Sequence, residues 1–177
     1  MQFAIVEYAR NCCGLTGANT TEVDPDTPYP VVDILPTQRK LIQERRYGGT
    51  MRLGAYAAEL KDGTKARELY QKTGRLDRDG RKVVELRKKG KEKFRLGLLE
   101  GDAAIVLERH RHRYEVAPAF IPLLEEKGLV FSGFHKRVDG TLLAELIELS
   151  SHSFFIATQS HPEFKSNLEN PAPLFLG

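Results

Sequence analysis

Cysteine is nearly missing from this sequence. Its 177 residues include two, Cys12 and Cys13. Adjacent cysteines are badly placed to bridge each other, so no disulfide framework is available. That usage points to a reducing compartment. Long apolar runs are missing as well, and none approaches the roughly 20 residues a membrane-spanning helix needs. Residues Met1 to Arg10 lack the basic start and unbroken apolar stretch of a secretory signal, because Glu7 and Arg10 interrupt it. These absences predict a cytoplasmic chain with no membrane partner. Internal repeats and low-complexity tracts are absent too.

What is present describes a globular domain: 41% hydrophobic and 29% charged residues, in a chain long enough to bury a core. The net charge of +3 is unevenly spread. Arg75 to Arg95 holds ten Lys and Arg against four Asp and Glu, a local +6 that leaves the rest of the chain acidic. This segment reads as a solvated helical or hairpin excursion. Nothing in the remainder argues for a nucleic-acid surface.

Residues 2–13 have helical spacing, with Phe3, Val6, Ala9 or Arg10, and Cys13 on one face and Gly14 as a stop. Strands are expected at Pro30–Leu35 and Thr50–Tyr56, and a polar loop or short helix between Gln38 and Tyr47. Thr64–Gln71 and Ala119–Gly128 read as helices. Leu129–Phe134 and Leu142–Leu149 read as a hairpin through Asp139-Gly140. A last strand is expected over 153–160.

Three groups of residues invite chemistry. In Glu108-Arg109-His110-Arg111-His112-Arg113 a strand would put the arginines on one face and the histidines on the other. The run could be a metal site, a nucleic-acid patch, a carboxylate-binding strand or simply a basic surface strand. Flanking arginines disfavour a metal, and no interleaved aromatics support nucleic acid. Cys12 and Cys13 fall at the C-terminal end of their helix, where the dipole disfavours a thiolate, so they read as core packing. Third, His161-Pro162-Glu163 follows the last strand. Extended chain would put His161 and Glu163 side by side, and a carboxylate there can orient an imidazole as a base. A plain strand end with two solvated polar residues fits the same spacing.

Five ordered blocks, Ala18-Asn19-Thr20-Thr21-Glu22, Asp24-Pro25-Asp26-Thr27, Gly48-Gly49-Thr50-Met51-Arg52-Leu53-Gly54, Glu108 to Val116 and Ala157 to Phe164, resemble the glutaminase domain of CTP synthase. Pro173 to Gly177 is similar to that family's approach to its C-terminus. The resemblance implies an α/β class I glutamine amidotransferase domain, with a central mostly parallel sheet flanked by helices and an antiparallel hairpin. Residues 1–177 would be a partial domain with a basic insertion at about 72–101. It implies glutamine hydrolysis supplying ammonia for ATP-dependent amination of UTP, a ligase of pyrimidine biosynthesis. His161 would be the base and Glu163 its orienter, while Gln2, Glu22 and Arg113 would contact L-glutamine; Arg52 falls in a family motif without a role. No metal or cofactor is expected in this chain, and ATP and magnesium would belong to a synthetase domain, in cis or in trans. The full enzyme would be a homo-oligomer.

The departures from the family are specific. Its nucleophile lies in Gly-x-Cys-Leu-Gly-Met-Gln, and Met1-Gln2 match only the last two residues. The nucleophilic cysteine and the final helix are therefore expected outside these residues, leaving a fragment inactive alone and an apolar face to be covered. A non-catalytic glutamine-recognition or docking module is the alternative.

Overall fold

The computed structural model describes residues 1–35, 51–90, 93–99 and 103–177. In chain order the elements are α1 (Gln2–Asn11), β1 (Asn19–Thr20), β2 (Pro30–Asp33), β3 (Arg52–Leu60), α2 (Lys65–Lys72), α3 (Arg75–Lys89), α4 (Lys93–Leu96) and β4 (Ile105–His112). There follow β5 (Glu115–Val116), α5 (Ile121–Glu126), β6 (Leu129–Lys136), β7 (Leu142–Leu149) and β8 (Ile156–Thr158). The mixed α/β class is the expected one. The loop or short helix expected between Gln38 and Tyr47, with Gly48-Gly49, lies outside the described residues. The chain forms two units: Met1–Leu53 with Arg111–Leu129, and Gly54–His110 with Val130–Gly177.

In the first unit α1 packs on a three-stranded sheet ordered β1-β2-β5. β1 pairs parallel to β2, Thr20 opposite Val32, and β2 pairs antiparallel to β5, Val32 opposite Val116. The helix exists where the 3.6-residue spacing predicts it, but its inward face is Ile5, Val6 and Ala9, with Phe3 65% exposed. Ile5 and Ala9 stack one turn apart, and Phe3 points well away from that stripe. Val31, Val32, Val116 and Leu124 of the same unit are buried as well, each large aliphatic contributing roughly 1.5–3 kcal/mol of transfer free energy.

The second unit is built on a five-stranded sheet ordered β4-β3-β6-β7-β8. β3 runs antiparallel to β6 and β7 antiparallel to β8. The expected β6–β7 turn is present: Gly140 takes φ 86° and its N–H donates to Arg137 O at 2.9 Å. α2 begins at Thr64, whose hydroxyl accepts from Arg67 N–H. The buried Glu148 carboxylate accepts from the N–H groups of Lys65 and Ala66, both at 3.0 Å. A carboxylate at a helix N-terminus meets orphan donors and the positive end of the dipole.

The basic segment is helical but not merely a solvated excursion. α3 is capped by Gly74 and Gly90, both in left-handed conformation, with Asp77 in its first turn and Arg87, Lys88 and Lys89 in its last. Arg75, Asp79 and Val83 recur every four residues and are buried. Val83 joins Ala57, Leu96, Ile105 and Leu107 in a core cluster, with Leu86 packed against it. The last strand also differs from expectation, covering Ile156–Thr158 alone.

Gly97 shows how closely this unit is packed. It has φ 68°, and a Cβ there would overlap the Lys136 carbonyl oxygen that accepts from Leu98 N–H. Gly97→Ala is expected to cost at least about 2 kcal/mol, combining left-handed strain with a backbone clash. Urea unfolding checks this, and a cost under about 0.5 kcal/mol would contradict the packing described.

Candidate functional site

His161 and Glu163 are brought together, by a route the spacing did not suggest. Pro162–Lys165 is a 3-10 turn and His161, at φ −110° and ψ 80°, precedes it outside β8. Extended geometry therefore does not make the pair; the turn does, with His161 Nδ1 2.7 Å from Glu163 Oε1. That hydrogen bond holds the Glu163 carboxyl below its ordinary range. His161 Nε2 has no hydrogen-bond partner among the described residues. The two side chains are 38% and 54% exposed, open to a reactant.

The backbone of the turn is anchored. His161 N–H donates to Arg109 O at 2.7 Å, and Phe164 N–H to His161 O at 3.2 Å. The Phe164 ring stacks on His161 with centroids 5.3 Å apart, and the Arg109 guanidinium lies 5.5 Å from the Phe164 centroid. Before the turn, the hydroxyls of Ser160 and Thr158 pair at 2.7 Å. A cleft of ≈ 730 Å³ opens beside this turn, its lining including Arg78, Arg81 and Lys82 of α3, Arg109 of β4, and Lys165.

Gln2, Glu22 and Arg113 belong to the first unit. β1 and β2 run the same way and β5 the opposite way, so the residues after β1 and those before β5 lie off one end of the sheet. Glu22 is exposed there, in a turn closed by Thr21 N–H to Val32 O at 3.0 Å and Glu22 N–H to Thr20 Oγ1 at 3.3 Å. Arg113 precedes β5, and its Nε is buried without a hydrogen-bond partner among the described residues. Gln2 Nε2–H donates to Tyr114 O at 3.0 Å, which places the start of α1 at that same end. A buried unmet guanidinium donor is costly and suits a carboxylate ligand.

Within β4 the Arg-His run alternates, with Arg109 and Arg111 exposed and His110 buried, while Arg113 falls beyond the strand. His110 Nε2 lies 3.4 Å from the buried Glu145 carboxylate, and its ring meets Tyr56 edge-on. His112 Nδ1 instead lies 3.0 Å from Tyr114 O. Among the described residues no group of three or more His, Cys, Asp or Glu could hold a metal ion. Arg52 pairs with the buried Glu115 carboxylate at 3.4 Å, an internal ion pair.

The cysteines are not core residues as expected: Cys12 is exposed and Cys13 half-buried. Burial, then the neighbouring Cys12, push the Cys13 thiol above its ordinary value. Both follow the C-terminal end of α1, where the helix dipole opposes a negative charge.

One polar network is not among the groups the sequence singled out. Tyr70, Arg75, Asp79, Glu108 and Lys165 form a polar network in the second unit. The four-residue spacing of Arg75 and Asp79 on α3 was its visible signal, since charged residues at core spacing imply internal partners.

Residues 1–177 match the family model for glutamine amidotransferase class-I. The chain is 48% identical over 176 residues to a CTP synthase of Thermococcus gammatolerans, and 49% identical over 177 residues to one of Methanocaldococcus jannaschii. These alignments cover 99% and 100% of this chain, but the chain spans only 26% of each relative's length. Among solved structures it is similar to a Trypanosoma brucei CTPS glutaminase domain with bound acivicin, with TM-score 0.74 and 29% identity, covering 99% of this chain and 54% of that one. Among the described residues, no helix is long and apolar enough to cross a membrane. With a family match over its whole length and the fold of a glutaminase domain, the chain belongs to the class I glutamine amidotransferases.

Proposed function

We propose that this chain is the glutamine-handling part of a CTP synthase glutaminase domain, with His161 as general base and Glu163 as its orienter. The observation that supports this best is the 2.7 Å contact from His161 Nδ1 to Glu163. An imidazole whose Nδ1–H is held by a carboxylate presents an unprotonated Nε2 to a reactant. In the reaction, Nε2 takes the proton of a cysteine thiol as sulfur attacks the glutamine side-chain amide carbon. It then returns that proton to the departing nitrogen, which leaves as ammonia, and water hydrolyses the thioester to glutamate. Arg113 would bind the glutamine carboxylate, Glu22 its ammonium, and Gln2 the substrate's polar flank. The whole protein would pass the ammonia to a synthetase part, in cis or in trans, for amination of UTP to CTP. ATP and magnesium belong to that part, and the assembled enzyme would be a homo-oligomer.

The nucleophile is not Cys12 or Cys13, which carry no feature of an activated thiolate. The 177-residue chain by itself is therefore expected to release no glutamate above background. Titration calorimetry with L-glutamine should still detect binding, weakened about tenfold or more by Glu22→Ala or Arg113→Ala, because each removes a hydrogen bond to a charged group. Binding indifferent to both variants would refute the assigned contacts. Glutamate release at an enzymic rate, lost in His161→Ala, would refute inactivity of the isolated chain. Persistent binding with no gain of hydrolysis once the nucleophile segment is supplied would favour the non-catalytic reading.

A further inference from the structure

The turn that presents His161 completes the open edge of a sheet. β4 is the outer strand of the five-stranded sheet, and along a strand the carbonyls of residues two apart point the same way. Leu107 and Arg109 are two apart. Arg109 O accepts His161 N–H at 2.7 Å, and Leu107 O accepts from Lys165 Nζ, so successive groups of one strand hold both ends of the turn. The N–H of Leu107 donates to Asp79 Oδ2 at 2.9 Å. Lys165 Nζ lies 3.6 Å from that same oxygen, which closes a ring of strand, helix and turn. Asp79 is held in turn by Arg75 at 3.1 Å.

We propose that Lys165 and Asp79 are positioning residues for His161, clamping the turn onto the edge of β4 so that the imidazole keeps its Nδ1 on Glu163. The inference rests on the reading of His161 as base, and it gives the basic α3 segment a part in the site. An edge strand left with free N–H and C=O groups is normally blunted or covered; here the cover comes from α3 and from the turn carrying His161. Losing the Lys165 ammonium frees the far end of the turn. Glu163, between the two anchors, then loses its fixed distance to the ring.

The test uses the 177-residue chain labelled with ¹⁵N-histidine, the His161 resonances being assigned by their loss in His161→Gln. Ring nitrogen shifts report the tautomer. The native chain should show the Nδ1–H form at His161. Lys165→Met and Asp79→Asn should each move the ratio about fivefold toward Nε2–H, the order expected when a charge-assisted hydrogen bond loosens. Lys165→Arg, which keeps the charge and donors, should restore the native ratio. Val83→Ala, a core truncation on the same helix, should lower stability and leave the tautomer unchanged. If Lys165→Met and Asp79→Asn lower only the unfolding midpoint, while Glu163→Gln shifts the tautomer, the clamp is overturned and the base–orienter pair stands. No shift in Glu163→Gln either would overturn the pair and the clamp with it.

Discussion

In a chain extended through the nucleophile segment, His161→Ala is expected to lower kcat/KM for glutamine hydrolysis by at least about 10³-fold, and Glu163→Ala by about 10²-fold. The order follows from the geometry. His161 would move the proton itself, whereas Glu163 would act through the 2.7 Å contact to the ring. Removing an orienter leaves a base that still samples the useful tautomer. Glu163 also has a predictable pH behaviour. Its carboxyl is held below the ordinary range by the bond to His161. Such a group contributes above its unfolded value and loses that contribution as pH falls through its folded one. Orientation of His161 should therefore survive across the neutral range and fail only in acid. Steady-state kinetics of both variants checks the ranking. Activity of His161→Ala within about tenfold of native would exclude it as the base.

The second large effect concerns stability. Arg75→Met is expected to cost about 3–5 kcal/mol at neutral pH, because it strands a buried carboxylate. Arg75 Nη2 donates to Glu108 Oε1 at 2.6 Å and to Asp79 Oδ2 at 3.1 Å, and all three residues are at most 5% exposed. The Tyr70 hydroxyl adds a third hydrogen bond to Glu108 Oε1 at 2.9 Å. Burial raises the Glu108 carboxyl above its ordinary value even though Lys165 and Arg75 pull it down. A raised folded value gives stability that is fully present below the unfolded value and lost as pH rises through the folded one. Removing Arg75 raises that folded value further. The deficit of Arg75→Met should thus be largest near neutrality and shrink on acidification, as Glu108 takes a proton and no longer needs a cation. Urea unfolding at about pH 7.5 and about pH 5.5 measures both limbs. A deficit equal at the two pH values would show that packing, rather than charge, is what Arg75 contributes.

Much of this molecule was legible from local rules. The spacing in residues 2–13 forecast α1, Asp139-Gly140 forecast the β6–β7 turn, and alternation in the Arg-His run forecast opposite faces for Arg109 and His110. These are properties of a few consecutive residues, set by helical or strand periodicity and by turn chemistry. The spacing of His161 and Glu163 likewise put both in reach of one another. It forecast the wrong backbone, because two residues after a strand can meet through extended chain or through a 3-10 turn, and only the anchor at Arg109 O selects the turn.

Other features depended on partners far away in sequence. The phase of α1 follows from which residues meet β2, so Ile5 is inside and Phe3 outside. Composition marked α3 as a solvated basic excursion, and most of its charges are indeed outward. Its docking rests on Arg75 and Asp79 finding Glu108 and the Leu107 amide, 33 and 28 residues away. Sequence by itself determined most local elements and the family, and singled out His161 and Glu163 as candidates, because those depend on short-range spacing and on motifs. Tertiary structure alone decided that a basic helix seals the edge of β4 and holds the turn carrying His161. A buried charge is tolerable only where distant groups converge to pair with it, and no local pattern encodes that convergence.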